Sequence, residues 1–285
     1  MICPYCLSKK NINSYKPSTI FNKKKFDYLK CLDCELIYVY PFPNENDYAA
    51  MYPPTYQGEF NKISNSQYDD LFILIKSYTS DDTKKLLDYG CGNGDLLYQA
   101  KNLGFNVSGV EYNSENINVL KKNIPSTPFY EINEFNDIDE KFDIIILNNV
   151  LEHIINPNEL IQSLKLKLNG ILVVLGPMEE NFSIAQIIRK IYFLFKKTFT
   201  QTTASHPPYH ITFTNYNNQL EIFQKNNFEK LTFITKETAW PFPNNVNFTS
   251  IGSFFKSVIA LISIKSSKLF SNKAGNIFIY IGKKK

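Results

Sequence analysis

What is scarce in this 285-residue chain narrows the reading before any motif is considered. Histidine occurs three times, at His153, His206 and His210, so chemistry that needs an imidazole has few candidates. Neither charge dominates: 31 Lys and Arg against 27 Asp and Glu leave +4, too little to argue for a nucleic-acid partner. No uninterrupted apolar run reaches the length needed to cross a bilayer. There is no internal repeat and no long low-complexity tract. No secretory leader is expected, because Met1-Ile2-Cys3-Pro4 runs straight into a cysteine motif, and a cytoplasmic location follows as the default. With 44% hydrophobic and 20% charged residues, the chain suits an ordinary globule: one large domain, or a domain plus a small module.

Cysteine is also sparse, but four of the five are patterned. Cys3-x-x-Cys6 and Cys31-x-x-Cys34 form two knuckles separated by 24 residues. In a reducing compartment such a double knuckle reads as a tetrahedral zinc site rather than as disulfides. Four thiolates leave no open coordination position, so the metal would be structural. Residues 1–40 are therefore expected to form a zinc ribbon, with small strands between the knuckles. Residues 41–84 read as a Tyr- and Pro-rich linker followed by a helix near 64–79. The aromatic density of the linker (Tyr48, Tyr52, Tyr56) fits either packing or the wall of an active site.

The fifth cysteine lies in Leu86-Leu87-Asp88-Tyr89-Gly90-Cys91-Gly92-Asn93-Gly94-Asp95-Leu96-Leu97, an apolar strand, a glycine-rich turn and a helix start. The glycines permit a tight turn and close ligand approach, and the helix start offers free N–H groups. The spacing is D-x-G-x-G-x-G rather than the G-x-G-x-x-G of a dinucleotide site. An acid two residues before the first glycine suits a ligand bearing a cation. Glu111 comes 23 residues after Asp88, where a second strand would end and a carboxylate could accept both ribose hydroxyls.

From residue 85 the rhythm is strand, helix, strand: a helix stopping at Gly104, another over Asn113–Asn123, and strands over 127–132 and Phe142–Leu147. A helix near 158–168 ending at Asn169-Gly170 and a strand over Ile171–Leu175 come next. This alternation predicts a mostly parallel, seven-stranded α/β sheet with helices on both faces. Residues 177–214 interrupt it with an amphipathic helix and Ser205-His206-Pro207-Pro208-Tyr209-His210, an insertion expected to overhang the crevice as a lid. A helix over 215–226, a strand near 228–235 and a last strand over 277–281 complete the pattern. Between these strands an apolar-basic helix over 251–270 (Phe254, Phe255, Ile262) is expected to pack on the domain, with membrane-surface association as the alternative.

The glycine turn resembles motif I, and Asn148-Asn149-Val150-Leu151-Glu152-His153 motif IV, of the class I S-adenosylmethionine (SAM) methyltransferases. With the cysteine knuckles, the Tyr/Pro-rich stretch and His206-Pro-Pro-Tyr-His210, nearly the whole chain resembles a bacterial group of these enzymes that carries an N-terminal zinc ribbon. Members are frequent in clusters for cell-surface polysaccharides. The resemblance implies a Rossmann-like methyltransferase domain over 85–285 with SAM as cofactor. It implies cofactor contacts from Asp88, Gly90, Cys91, Gly92, Gly94, Glu111, Tyr112 and Asn148, with adenine near Glu131–Phe135. The zinc ligands would be Cys3, Cys6, Cys31 and Cys34.

Sugar C-methyltransferases of this type carry an added C-terminal domain that this chain lacks, so O-methylation of a sugar or sugar nucleotide is expected. A hydroxyl must lose its proton to attack, and His153, His206 and His210 are the candidate bases. Two alternatives stay open: a lipid-linked or quinone-like acceptor at the membrane surface, and a non-catalytic zinc-ribbon binding module on a degenerate scaffold. The second of these would not need Asp88, Gly90, Gly92 and Glu111. The Leu-Glu-His run also occurs in ubiquinone-pathway O-methyltransferases, where nearby acids can hold a divalent metal. Here Asn149, not an acid, stands four before His153. There is no basic stripe and no Asn/Asp-Pro-Pro-aromatic motif after the fourth strand, so nucleic acid is not expected as substrate. The oligomeric state is left open.

Overall fold

The computed structural model describes residues 1–53, 68–195, 198, 205–239, 242, 250–269 and 273–285. Pro54 and Tyr56 of the linker, the first turn of the helix expected near 64–79, Lys196, Lys197 and Phe270 lie outside the described residues.

The N-terminal part is a small antiparallel sheet. It comprises β1 (Asn11–Asn13), β2 (Thr19–Phe21), β3 (Lys24–Cys31) and β4 (Ile37–Tyr40); the first cysteine knuckle precedes β1 and the second joins β3 to β4. Each knuckle closes on its first cysteine: Leu7 donates its N–H to the Cys3 carbonyl (3.0 Å) and Glu35 to the Cys31 carbonyl (3.1 Å). Both donors adopt positive φ. α1 (Glu45–Met51) begins at a capping box in which Asn44 and Asp47 exchange hydrogen bonds. α2 (Asp69–Lys76) buries Leu71, Phe72 and Ile75 on the next domain.

That domain is the expected layered α/β unit. Its elements are β5 (Lys85–Tyr89), α3 (Asp95–Asn102), β6 (Asn106–Glu111), α4 (Ser114–Asn123), β7 (Phe129–Glu131), β8 (Phe142–Asn148), α5 (Pro157–Lys167) and β9 (Leu168–Pro177). α6 (Ile184–Phe195), β10 (Thr212–Phe213), α7 (Tyr216–Lys225), β11 (Phe228–Lys236), α8 (Ile251–Ser267) and β12 (Ile277–Lys284) follow. The seven-stranded sheet runs β11-β12-β9-β8-β5-β6-β7, parallel from β9 to β7, with β12 antiparallel to both neighbours. Ile144, Ile145, Ile146 and Leu147 of β8 are wholly buried, because helices cover both faces of the sheet. The chain leaves β5 outward to β6 and β7, then returns to β8 on the other side. This reversal opens a crevice at the carboxyl ends of β5 and β8.

Three expectations change. Gly170 does not stop a helix: it lies inside β9, where a side chain would run into the Asp143 carbonyl of β8. The N-terminal ribbon is not self-contained. β10, from the segment expected to form a lid, pairs with β4 (Thr212 opposite Tyr38, Phe213 opposite Ile37). One hydrophobic cluster unites Cys3, Tyr5 and Tyr38 with Leu87, Ile145 and Tyr280. Finally, α8 turns a stripe of small residues inward, Ser257, Ala260 and Ser263, and leaves Phe255 60% and Ile262 50% exposed. Close approach to α6 requires small residues there: Ala185 donates its N–H to Ser263 Oγ at 3.1 Å.

Candidate active site

The turn after β5 holds Gly90, Gly92 and Gly94 at φ of 79°, 54° and 83°, a region that side-chain-bearing residues rarely adopt. A Cβ on Gly90 would also lie 2.6 Å from Val150 Cγ2, so the turns after β5 and β8 touch. Glu111, at the end of β6, is buried and braces the turn: Oε2 accepts the Gly92 N–H (2.8 Å) and Oε1 the Asn113 N–H (3.2 Å). Beneath it Asp88 is 2% exposed, and its Oδ1 has no hydrogen-bond partner. Burial, then the Glu111 carboxylate, push the Asp88 carboxyl up to about 8. A buried acid without a partner beside a glycine cradle lacks a counter-charge, and a ligand ammonium would supply one.

The other expected cofactor positions divide. Asn148 ends β8 and donates to the Tyr68 hydroxyl at 3.0 Å. Tyr112 is half-exposed at the end of β6. Gly94 caps α3. The Cys91 side chain points away from the crevice into the core with Leu96, Leu97 and Val107, where burial raises its thiol. Its N–H is committed to the Val110 carbonyl (3.0 Å). Of Glu131–Phe135, Glu131 ends β7 and the rest lies in a 3₁₀ turn over Ile132–Asp137, with Phe135 edge-on to Tyr89.

Beside this crevice, a cavity of about 330 Å³ opens at the ends of β8 and β9. Its wall includes Glu152, His153, Glu179, Gln186, His210 and Asn276. His153 Nδ1 lies 2.7 Å from the Tyr209 carbonyl, which can only accept, so Nδ1 carries the proton and Nε2 is left bare in the neutral ring. Burial lowers the His153 pKa, against the opposing pull of Glu152, whose carboxylate is 3.8 Å from Nε2. The His210 ring stands perpendicular to that of His153, centroids 4.9 Å apart, and its Nδ1 is 3.2 Å from Glu179 Oε1. Burial opposes charge on both members of the second pair, but their mutual bond prevails. His210 is raised, and Glu179, aided by Lys16 and Arg189, is held at about 2. Glu152, His153 and His210 also present one ligand atom each within 4.8 Å of one another, a set that could hold a divalent cation.

His206 stands apart. Its ring is exposed and bonded to the neighbouring Pro207 carbonyl (3.0 Å), while its own carbonyl accepts from Thr19 of the ribbon. Residues that were not singled out in the sequence enter instead. Glu179 follows the carboxyl end of β9, a position that could have flagged it. Lys16, in the ribbon, is 6% exposed and reaches Glu179 and Glu180 at 3.7 Å each, with its ammonium 3.8 Å from the centre of the Phe213 ring. No sequence signal marks it. Tyr52 of the linker, one of the aromatics weighed from the sequence as packing or as an active-site wall, joins the two halves, its ring facing Tyr112 (6.5 Å), His153 (6.2 Å) and Tyr209 (5.8 Å).

The cysteines meet as the knuckles require: Cys3 and Cys34 sulfurs are 3.5 Å apart, as are those of Cys6 and Cys31, and all four lie within 4.8 Å. Tetrahedral thiolates at about 2.3 Å from zinc would stand about 3.8 Å apart, so the spacing suits that ion.

A family profile described as a methyltransferase domain matches residues 65–232. A ubiquinone biosynthesis O-methyltransferase of Glaesserella parasuis is 35% identical over 137 residues, 41% of this chain and 56% of that protein. A ribosomal protein L11 methyltransferase of Dictyoglomus turgidum is 34% identical over 104 residues, 35% of this chain and 34% of that one. The chain thus matches about half or less of the length of these relatives. Among solved structures, a SAM-dependent methyltransferase from Archaeoglobus fulgidus superposes with a TM-score of 0.50 at 17% identity. It covers 82% of this chain and 100% of its own, and shows the same fold.

Proposed function

The chain belongs to the methyltransferase-domain family, and on that premise we propose that it moves the methyl group of SAM to an oxygen of a small acceptor held in the His153–His210 cavity. The observation that carries this reading is the abutment of two sites. A glycine turn over a buried, unpartnered acid lies against a cavity that presents a neutral imidazole. The sulfonium of SAM supplies a methyl group that is already electrophilic, so the protein must align the pair and ready the oxygen. Asp88 would hold the cofactor's ammonium, and Glu111, with lone pairs to spare, its ribose hydroxyls. His153 accepts the acceptor's proton at Nε2, and the Glu152 carboxylate at 3.8 Å stabilises the imidazolium that forms. His210 is bonded through Nδ1 to Glu179, which raises its pKa, and in the protonated ring the remaining N–H would orient the acceptor.

For the acceptor, we favour a lipid-linked or quinone-like hydroxyl compound over a soluble sugar nucleotide. The curated relatives at 28–35% identity include seven ubiquinone biosynthesis O-methyltransferases, which supports a phenolic or lipid-borne hydroxyl. The amide and hydroxyl side chains in an otherwise largely apolar wall, Asn149, Gln186, Thr238 and Asn276, support a sugar as the second reading. A sugar carried on a lipid would satisfy both observations. We further propose that Cys3, Cys6, Cys31 and Cys34 hold a structural zinc ion.

The test is release of S-adenosylhomocysteine when the purified protein and SAM are offered three acceptor classes: a polyprenylated catechol, a polyprenyl-linked sugar and free nucleotide sugars. Release with either lipid-borne class is expected. Release with nucleotide sugars alone would restore the sugar reading, and no cofactor binding by calorimetry would remove the enzyme assignment.

A further inference from the structure

The small excess of positive charge hides a strong segregation. Residues 181–220 and 238–285 contain eleven Lys and Arg and no Asp or Glu, leaving 20 cationic and all 27 acidic residues to the rest of the chain. These two acid-free segments contain α6 and α8, which pack against each other through the Ala185–Ser263 bond and bury Ala185, Ser257, Ala260 and Ser263. Their large side chains face outward. On α6, Ile191 is 61%, Tyr192 59% and Leu194 49% exposed; on α8, Phe255 is 60% and Ile262 50%. Lys256 and Lys265 of α8, and Lys268 at its C-terminal cap, are exposed among these residues. Among the described residues no helix is long and apolar enough to cross a membrane.

We propose that the outer face of the α6–α8 pair docks on an anionic lipid bilayer, lying in its interfacial layer rather than spanning it. Large apolar side chains interspersed with lysines and free of acids match that layer: the apolar groups enter the acyl boundary and the ammonium groups meet lipid phosphates. A second copy of the chain is a poorer occupant. A two-fold contact would bring the same acid-free, lysine-bearing surface against itself, with no carboxylate to answer it. The face also adjoins the chemistry, since Gln186, one turn before Lys190 on α6, forms part of the cavity wall. Docking would set the cavity mouth near the lipid surface, where a lipid-borne hydroxyl resides. This deepens the acceptor reading above, but its test is binding without turnover, so the two can fail separately.

The experiment is co-sedimentation of the full chain with vesicles of phosphatidylcholine alone or mixed with phosphatidylglycerol, across a salt series. The protein should bind the mixed vesicles, lose binding as salt rises, and bind neutral vesicles weakly. The pair Lys265→Glu and Lys268→Glu should reduce partitioning by roughly tenfold or more, since each basic residue near such a surface contributes about 1 kcal/mol. The pair Ile191→Glu and Phe255→Glu should abolish it, while cofactor affinity measured by calorimetry stays at the level of the parent protein. Absence of binding to mixed vesicles at low salt would overturn the proposal. So would binding that ignores both variant pairs, or a dimer in light scattering that Ile191→Glu and Phe255→Glu dissociate.

Discussion

At the scale of single residues, the two acids of the proposed cofactor crevice differ in what they lack. Glu111 already receives two main-chain N–H groups, whereas Asp88 Oδ1 receives nothing. Asp88 therefore holds its proton up to about pH 8 in the free protein. A ligand ammonium would favour the ionised form, so binding below that pH should release a proton and tighten as pH rises towards 8. Calorimetry of S-adenosylhomocysteine binding in buffers of different ionisation enthalpy measures the release. Asp88→Asn should remove it and weaken affinity by roughly ten- to a hundredfold, the worth of a charge-assisted hydrogen bond. The proposed base makes a second prediction. His153 must be neutral to act, and burial lowers its pKa below the ordinary 6.5. The acid limb of kcat/KM should thus lie below pH 6.5, with no loss of base function up to neutrality. His153→Gln should lower kcat by about 10²–10⁴-fold with cofactor affinity intact. A limb at or above 6.5 would point to His210 instead, whose pKa is raised.

At the scale of elements, the N-terminal sheet and the segment that carries His210 form one construction. β4 pairs with β10, Ile211 donates its N–H to the Glu152 carbonyl (2.8 Å), and His210 is the residue before Ile211. From the loop between β1 and β2, Lys16 enters the same place and meets the two acids that follow β9. Lys16→Met should leave part of that buried negative charge unanswered and destabilise the fold by about 3–5 kcal/mol, less whatever Arg189 and Lys190 compensate. Because Glu179 sets His210, the acceptor KM should rise while the affinity for S-adenosylhomocysteine does not move. Equal loss of both would mean that Lys16 serves stability alone. The Glu179 contribution has a defined pH window. Its carboxyl titrates lower in the folded chain than the ordinary 4.5, so its stabilisation is complete above pH 4.5 and is lost as pH falls towards about 2. Acid melts of Glu179→Gln should differ least from the parent protein at the low end of that window.

At the scale of the whole molecule, the cysteine site and the large sheet belong to one core, since Cys3 and Cys31 sit in the same apolar cluster as Leu87, Phe223 and Tyr280. Removal of the proposed zinc by a chelator, or Cys31→Ser, should therefore lower the melting temperature of the entire chain in a single transition. Two separate transitions in calorimetry would show the ribbon to be an independent unit. Much of this molecule was legible in its order of residues. The alternation of apolar strands with amphipathic helices determined the layered fold, because burial on both faces leaves β8 no polar position between Ile144 and Leu147. The spacing of Asp88, the glycines and Glu111 determined the glycine turn and the two acids beside it, because turn geometry and strand ends are local properties. The knuckles determined the cysteine cluster for the same reason. Local pattern could not say which histidines converge. His206 and His210 share one short stretch, yet only His210 reaches the cavity, since pairing of β10 with a strand some 170 residues earlier turns the chain there. Nor could it place Lys16, whose partners lie far along the chain, or choose the inward stripe of α8, where close approach to α6 selected small residues over large ones. Those outcomes depend on contacts between distant segments, and only the folded chain brings such segments together.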